Sequence, residues 1–180
     1  LVIPPMSPNA TSSRSPDEAR AWGLLETLTD PEIPVVTLRE LGILRDVRLA
    51  SFNDGSEQLE VVITPTYSGC PAMGQIEDDV QAALAAAGLQ ARVVTQLAPA
   101  WTTDWMSEAA KDKLRAYGIA PPGRAEPQGL ITLARSRVAV PCPFCRSNDT
   151  RLQSEFGSTA CKAIHVCNSC RQPFDEFKAL

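Results

Sequence analysis

Two Cys-x-x-Cys pairs, Cys142–Cys145 and Cys167–Cys170, constrain the fold of this 180-residue chain more than any other feature. Two intervening residues let both thiols of a pair turn toward one ion, and two such pairs supply the four tetrahedral sulfur ligands that Zn²⁺ prefers. A segment of about 40 residues buries too little apolar surface to fold alone, so a metal would supply the missing stability. We therefore predict a zinc ribbon over residues 138–180, with one structural Zn²⁺ per chain. Four thiolates also accept iron, and two disulfides are the alternative.

Two further donors lie between the pairs: Cys161 and His165, the single histidine of the chain. In a strand, Cys161, His165 and Cys167 would face one side, so either Cys161 or His165 is a candidate extra ligand in the tail. The alternative for Cys161 is a small residue packed beneath the metal site. Lys162, next to it, is predicted to be a solvated charge.

Composition excludes several classes of function. With 44% hydrophobic residues the chain can bury a core, and no apolar run is long enough to span a membrane. A net charge of −4 argues against a broad nucleic-acid footprint. Reduced cysteines without a targeting segment predict a cytoplasmic location. Because the first domain has no histidine, it is poorly equipped for Ser–His or Cys–His catalysis.

Local patterns predict an α+β domain with the order αββαβα before the ribbon. Residues 1–15 are rich in Pro and Ser and are predicted to be disordered; residues 16–120 form the domain, and residues 121–137 form a linker. The predicted elements, in chain order, are a helix capped by Ser15, a helical turn at 38–41, strands at 43–49 and 59–64 around the Asn53-Asp54-Gly55 turn, a helix from Pro71 to Gly88, a strand at 92–97, a helix at 104–117, and an extended segment at 128–140.

Cys70 is the one thiol outside the ribbon, and it directly precedes Pro71 at the predicted helix start. The positive end of a helix favours a thiolate, so Cys70 is a candidate reactive or metal-binding residue. The alternative is a small, buried apolar side chain. Candidate neighbours are two carboxylates, which otherwise act as a cap and a solvated charge, and two hydroxyls; these are Asp30, Glu32, Thr64 and Thr66.

Particular segments of the first domain resemble the SufT-like iron–sulfur assembly family. They are Asp30-Pro31-Glu32-Ile33-Pro34, Leu41-Gly42-Ile43-Leu44, Thr64-Pro65-Thr66 and Cys70-Pro71. The tail segments Phe156–Lys162 and Pro173-Phe174-Asp175, together with the cysteine pairs, are similar to the PaaD family, which serves the phenylacetyl-CoA epoxidase of aerobic phenylacetate degradation.

The resemblance implies a small SufT-like α+β fold and an accessory role beside the epoxidase oxygenase and reductase components. It implies help in assembling an Fe–S or di-iron centre in a partner, contact with the Fe–S assembly machinery, and a transient cluster or iron at Cys70. The chain offers no Glu-x-x-His pairs for di-iron and no Gly-rich dinucleotide fingerprint, so it is expected to be non-catalytic. A structural adaptor, a ribbon that binds nucleic acid and a homodimer remain as alternatives.

Overall fold

The computed structural model describes residues 15–51, 55–123 and 139–179. The predicted order αββαβα is confirmed, and the second half adds four strands. The elements are α1 (Pro16–Leu25), β1 (Leu44–Ser51), β2 (Glu57–Ile63), α2 (Met73–Ala86), β3 (Ala91–Thr95), α3 (Glu108–Tyr117), β4 (Ile119–Ala120), β5 (Thr150–Ser154), β6 (Lys162–Cys167) and β7 (Pro173–Phe177). The predicted disordered residues 1–14, the Asn53-Asp54 turn and most of the linker (124–137) lie outside the described residues, as does most of the extended segment 128–140.

The first sheet has the strand order β1-β2-β3 and carries helices α1 and α2. β1 and β2 pair antiparallel, whereas β2 and β3 pair parallel, because α2 crosses over between them. Ile76, Val80 and Leu84 recur at helical spacing on α2 and are buried in the core with Val61 and Ile63 of β2. This core supports both ends of the loop between β2 and α2, residues 64–72.

Serine side chains cap the starts of α1 and α3, whereas α2 follows Ala72 without a side-chain cap. Ser15 accepts a hydrogen bond from the Glu18 N–H and donates its own N–H to Glu18 Oε2, which is the predicted capping box. The predicted start of the second helix at Pro71 is wrong, because α2 begins at Met73. The predicted helix at 104–117 is divided: a 3-10 turn covers Thr103–Trp105 and α3 begins after the Ser107 cap. No helix in the described ranges combines the length and apolar character needed to cross a bilayer.

The second sheet joins the end of the first domain to the ribbon. Its strand order is β4-β7-β6-β5, and β4, which follows α3 directly, pairs parallel with β7. The Phe177 side chain at the end of β7 is buried in the core of the first domain, with its ring centroid 6.0 Å from that of Trp101. The ribbon is therefore packed against the first domain through both a strand pair and a core side chain.

Candidate functional site

The two cysteine pairs form two turns of the same shape. In each turn the N–H of the following arginine donates to the first cysteine carbonyl, Arg146 to Cys142 at 2.9 Å and Arg171 to Cys167 at 3.0 Å. Both arginines have left-handed backbone angles, with φ of 62° and 66°. This conformation turns the chain sharply after the second cysteine, so that both thiols of a pair face inward.

The four thiols of these turns lie close enough to bind one metal ion. The Sγ atoms of Cys142, Cys145, Cys167 and Cys170 all lie within 4.8 Å of one another. Cys142 Sγ and Cys170 Sγ are 3.7 Å apart, and Cys145 Sγ and Cys167 Sγ are 3.5 Å apart. A tetrahedron with metal–sulfur bonds of about 2.3 Å has edges of about 3.8 Å, so the four sulfur atoms fit a Zn²⁺-sized ion.

The electrostatics of the cluster also suit a cation. The Cys170 backbone N–H, with the Cys145 thiol and the Ser169 backbone, lowers the pKa of Cys167 to about 6. The Gln172 backbone N–H lowers the pKa of Cys170, but burial and the neighbouring thiols outweigh it and raise that pKa to about 12. One thiolate therefore forms readily and the next is opposed by the first, a repulsion that a bound cation would reverse.

The two candidate extra tail ligands lie elsewhere. His165 Nε2 is 2.8 Å from Glu176 Oε2, and its ring stacks on Phe174 with centroids 5.5 Å apart. Cys161 lies just before β6, with its Sγ 3.0 Å from Thr159 Oγ1. The four-thiol cluster includes neither Cys161 nor His165.

The structure brings Cys161 instead to the first domain. Cys70 and Cys161 are both half-buried and pack against the same hydrophobic core. The charges of Asp30, Glu32 and Cys161 act on the Cys70 thiol, and those of Cys70, Cys161 and Glu32 act on the Tyr67 phenol. We call these five residues, Asp30, Glu32, Tyr67, Cys70 and Cys161, the Cys70 corner.

The predicted activation of Cys70 by a helix terminus is wrong. Burial raises the pKa of the Cys70 thiol, and Cys161, Asp30 and Glu32 raise it further against an opposing hydrogen bond from the Ala72 backbone. Because α2 begins only at Met73, the thiol is not at the first turn of the helix. Without a cation, Cys70 is therefore a protonated thiol among acidic groups.

Asp30 has both a structural task and a place in the corner. Its Oδ1 accepts hydrogen bonds from the N–H groups of Glu32 at 2.8 Å and Ile33 at 2.9 Å, so the carboxylate holds the turn between its two prolines. Burial raises the pKa of Asp30 despite these hydrogen bonds and the nearby charge of Lys162. Of the candidate hydroxyls, Thr64 is buried without a side-chain hydrogen bond within the described residues, and Thr66 is half-buried.

Two residues of this region have surroundings that the sequence pattern does not indicate. Lys162 is not a solvated charge, because only 5% of it is exposed and its charge acts on Asp30. In the sequence Tyr67 is only one hydroxyl among several, whereas in the fold its phenol meets the Ala160 backbone of the ribbon. The signal that could have found this region was the surplus of Cys161, a thiol that the ribbon does not need.

The fold and the site together define an iron–sulfur assembly type of α+β domain joined to a four-cysteine zinc ribbon. A family model described as an iron–sulfur cluster assembly protein matches residues 18–95, and a PaaD zinc β-ribbon model matches residues 126–178. The chain is also 45% identical over 166 residues, 92% of its length and 94% of the relative's, to an Escherichia coli (strain K12) protein named as a component of 1,2-phenylacetyl-CoA epoxidase. The chain belongs to this PaaD family of phenylacetyl-CoA epoxidase components.

Solved structures are similar to part of this chain. A domain of unknown function, DUF59, from Bacillus anthracis is 29% identical, with a TM-score of 0.48, over 58% of this chain and 97% of that chain. A conserved hypothetical protein from Thermotoga maritima is 23% identical, with a TM-score of 0.43, over 61% and 98% of the two chains. A Mycobacterium tuberculosis protein associated with Fe–S complex assembly and repair is 24% identical, with a TM-score of 0.34, over 61% and 94%.

Proposed function

We propose that this chain is a non-catalytic accessory subunit of a phenylacetyl-CoA epoxidase in aerobic phenylacetate degradation. In this role it assists the assembly of an Fe–S or di-iron centre in a partner, the oxygenase or the reductase component. The similarity to a named epoxidase component supports the link to the epoxidase system. The match to the iron–sulfur assembly model supports the assembly role. The relative carries only the name of an epoxidase component, so the role of assembly is our own step.

The observation that carries this proposal is the Cys70 corner. It holds the half-buried Cys70 thiol, on which the charges of Asp30 and Glu32 act, in the domain that matches the assembly family, and sulfur and carboxylate are groups that bind iron. Because its thiol is protonated without a cation, metal binding there would release a proton to solvent, and uptake of a proton by the thiol would favour release of the metal to a client. Such reversible binding suits delivery of a metal better than permanent storage.

The composition supports a non-catalytic role. A di-iron centre of the bundle type needs two Glu-x-x-His pairs, and this sequence contains one histidine. That histidine is paired with Glu176 in the ribbon. We therefore assign the oxygenation chemistry to a partner.

We assign the four-thiol cluster a structural Zn²⁺, one per chain. The sulfur spacing fits this ion and the ribbon matches a zinc family, while iron is the alternative occupant because four thiolates accept both. Anaerobic purification with zinc, iron and acid-labile sulfide counted per chain separates the two. A cytoplasmic location, contact with the Fe–S assembly machinery and a possible homodimer belong to the same proposal.

The test of the assembly role is Cys70→Ala in cells that depend on the epoxidase. We expect epoxidase activity and the metal content of the purified oxygenase or reductase to fall severalfold, while the zinc content of the variant protein stays at one per chain. Gln81→Ala, an exposed change on α2, is the matched control. Wild-type activity and partner metal content in Cys70→Ala would contradict the assembly role of this thiol.

The second candidate function is a structural adaptor in which the ribbon docks the epoxidase components. Two exposed aromatic side chains favour it: 56% of Phe144 in the first cysteine turn and 53% of Tyr117 at the end of α3 are exposed. The Phe144 ring also lies against Gly118, where an added Cβ would meet it at 3.1 Å, so the two aromatic residues lie near each other. Aromatic residues exposed in this way are common anchors of interfaces.

The adaptor function makes a different prediction from the assembly function. Phe144→Ser would abolish co-purification with the oxygenase component, whereas Cys70→Ala would leave both co-purification and activity unchanged. If the Phe144→Ser protein co-purifies as wild type does, the docking role of this surface is contradicted.

A further inference from the structure

We propose that the four-thiol cluster of the ribbon is also a peroxide-reactive site, in which disulfides form between the two cysteine turns and release the metal ion while the ribbon stays folded. The substrate class is a hydroperoxide, a two-electron oxidant of thiolates. This inference rests on the structural Zn²⁺ assigned to the cluster and is independent of the assembly role of Cys70. It adds a reversible chemical modification to a site that otherwise serves stability.

One thiol of the cluster is open to a small oxidant. Cys145 is exposed. Cys142 and Cys167 are 1% and 0% exposed, and Cys170 is half-buried. A peroxide must reach a sulfur atom before it can oxidise it, so exposure selects which thiolate reacts. The sulfur of Cys145 is therefore the first to react.

The close contacts between sulfur atoms cross from one turn to the other. Cys145 Sγ lies 3.5 Å from Cys167 Sγ, and Cys142 Sγ lies 3.7 Å from Cys170 Sγ. A disulfide bond holds two sulfur atoms about 2.05 Å apart, so each pair has to close by only about 1.5 Å. Each contact therefore joins the two sulfur atoms that a cross-turn disulfide would bond.

Hydrogen bonds outside the sulfur cluster also hold the two turns face to face. Ser147 Oγ and Ser169 Oγ are 2.7 Å apart. The Asn168 N–H donates to the Asp149 carbonyl at 2.9 Å, and the Asn168 side-chain amide donates to Asp149 Oδ1 at 2.8 Å. Because these hydrogen bonds involve neither a sulfur atom nor a metal, they keep the turns opposed while the sulfur atoms change partners.

The oxidation removes two electrons from each pair of thiolates. The Cys145 sulfur attacks one oxygen of hydrogen peroxide, the O–O bond breaks, and a sulfenic acid and hydroxide form. The Cys167 sulfur then attacks the sulfenic sulfur and displaces its oxygen as a second hydroxide, which completes the disulfide. Only two thiolates remain for a four-coordinate ion, so the chain releases it. A second peroxide oxidises Cys142 and Cys170 in the same way, and a dithiol reductant reverses both reactions by thiol–disulfide exchange.

A cross-turn disulfide replaces the metal as a link between distant parts of the chain. Cys145 and Cys167 are 22 residues apart, and Cys142 and Cys170 are 28 residues apart. Closing loops of this length restricts the unfolded chain and so stabilises the folded one. A disulfide within one Cys-x-x-Cys turn would leave the two turns unconnected. The cross-turn pairing is therefore the one that keeps the ribbon folded without its ion.

The buried sulfur atoms lie at the junction between the ribbon and the first domain. Cys142 and Cys167 share a buried cluster with Ala120 of β4 and Phe174 of β7. These two strands form the parallel pair that joins the two parts of the chain. Disulfides at this place keep the junction linked, whereas removal of the ion from the reduced chain leaves it without a link.

The test uses the full-length, zinc-loaded chain with about ten equivalents of hydrogen peroxide. A chromophoric zinc indicator follows release, and peptide mass spectrometry of the alkylated protein identifies the disulfides. We expect release of the zinc held by the cluster, Cys145–Cys167 as the first disulfide, and recovery of zinc binding after reduction by a dithiol. Cys145→Ser should slow zinc release at least about tenfold. Cys161→Ala, which removes a thiol outside the cluster, is the matched control and should release zinc as wild type does.

Thermal unfolding separates oxidation from simple loss of the metal. We expect the oxidised, zinc-free protein to unfold at a higher temperature than reduced protein from which a chelator has removed the zinc. Equal midpoints would overturn the stabilising role of the disulfides, and disulfides confined to Cys142–Cys145 and Cys167–Cys170 would overturn the cross-turn pairing. Retention of zinc under peroxide would overturn the reactive site, while Cys70→Ala in cells still tests the assembly role. If Cys145→Ser binds no zinc, alkylation of partly oxidised wild type identifies the first thiol to react.

Discussion

At the scale of single residues, Asp30 of the Cys70 corner is subject to opposing effects on its pKa. Asp30 is buried, the charge of Glu32 acts on it, and its own charge acts on the Cys70 thiol. Its backbone hydrogen bonds and Lys162 favour the carboxylate, while burial opposes it, and the net effect raises its pKa. Burial therefore disfavours the charged form of Asp30, and a nearby cation would favour it.

At Asp30 we predict different results for two substitutions. Asp30→Asn retains an oxygen that can accept the Glu32 and Ile33 N–H groups, whereas Asp30→Ala leaves them unpaired and should lower the free energy of unfolding by about 2 kcal/mol. Because the folded pKa of Asp30 is raised, the charge costs stability above that pKa and costs nothing below the unfolded value of 3.8. Urea unfolding of the variants across this pH range measures both effects.

The pH dependence of stability separates the charge of Asp30 from its hydrogen bonds. The stability of wild type relative to Asp30→Asn should fall as the pH rises from 3.8 through the raised pKa. If Asp30→Asn and Asp30→Ala lose the same stability at every pH, the hydrogen bonds of the turn are not the main role of this side chain.

At the scale of elements, one short turn links the first sheet to α3. Thr37 and Glu40 exchange hydrogen bonds, with the Thr37 N–H donating to Glu40 Oε2 at 2.9 Å and the Glu40 N–H to Thr37 Oγ1 at 3.1 Å. Lys113 on α3 donates to both Glu40 oxygens, at 2.7 and 2.9 Å. The predicted helical turn at 38–41 is thus a single turn, with the Leu41 N–H bonded to the Thr37 carbonyl. Glu40 both caps this turn and pairs with Lys113 of α3.

We predict that Glu40→Gln lowers the free energy of unfolding by about 1 kcal/mol near neutral pH. Burial raises the pKa of Glu40, but Lys113 and Thr37 outweigh it and hold the pKa below its usual 4.5. The contribution of this depressed pKa is therefore present above pH 4.5 and is lost as the pH falls through the folded value. Glu108→Gln, which removes an exposed pair with Lys111, is the control and should change stability by less than about 0.5 kcal/mol.

Chemical unfolding of both variants between acidic and neutral pH measures this difference. A loss in Glu40→Gln that stays constant down to the lowest pH would assign the effect to packing and not to the ion pair.

At the scale of the whole molecule, strand β7 of the ribbon joins the two halves. The parallel pairing of β4 with β7 and the insertion of Phe177 beside Trp101 join the two halves. Metal binding is linked to folding wherever the ligands come together only in the folded chain. Loss of the metal should therefore destabilise the first domain as well, because β7 joins the ribbon to it.

We predict that removal of the ribbon metal by a chelator lowers the midpoint of thermal unfolding of the whole chain in a single transition. Phe177→Ala should lower the free energy of unfolding by about 3–5 kcal/mol and should make the first domain insensitive to the chelator, because it breaks the link. Calorimetry with and without chelator is the measurement. Two independent transitions in wild type, with the first-domain transition unmoved by the chelator, would contradict this coupling.

The features of the fold and of the site that could be predicted from sequence depend on residues close together along the chain. The ribbon ligands were identified because each Cys-x-x-Cys pair makes its own turn, and the order αββαβα followed from hydrophobic period and turn residues. The division into residues 16–120, 121–137 and 138–180 stays a prediction, and β4 at residues 119–120 already belongs to the ribbon sheet. Local patterns gave no signal for β4, because two residues form a strand only when β7 is present to pair with them.

The tertiary structure decided which residues lie next to each side chain. Short-range patterns predict a thiolate at a helix start for Cys70, a ribbon ligand or a small packed residue for Cys161, and a solvated charge for Lys162. In the folded chain Cys70 and Cys161 pack against the same core, burial and nearby acidic groups raise the pKa of Cys70, and Lys162 is only 5% exposed. Sequence alone determined which atoms can bind a metal, because residue type and short spacing set the donors. Only the tertiary structure decided which donors share a site, because charge and burial depend on residues far apart in the chain.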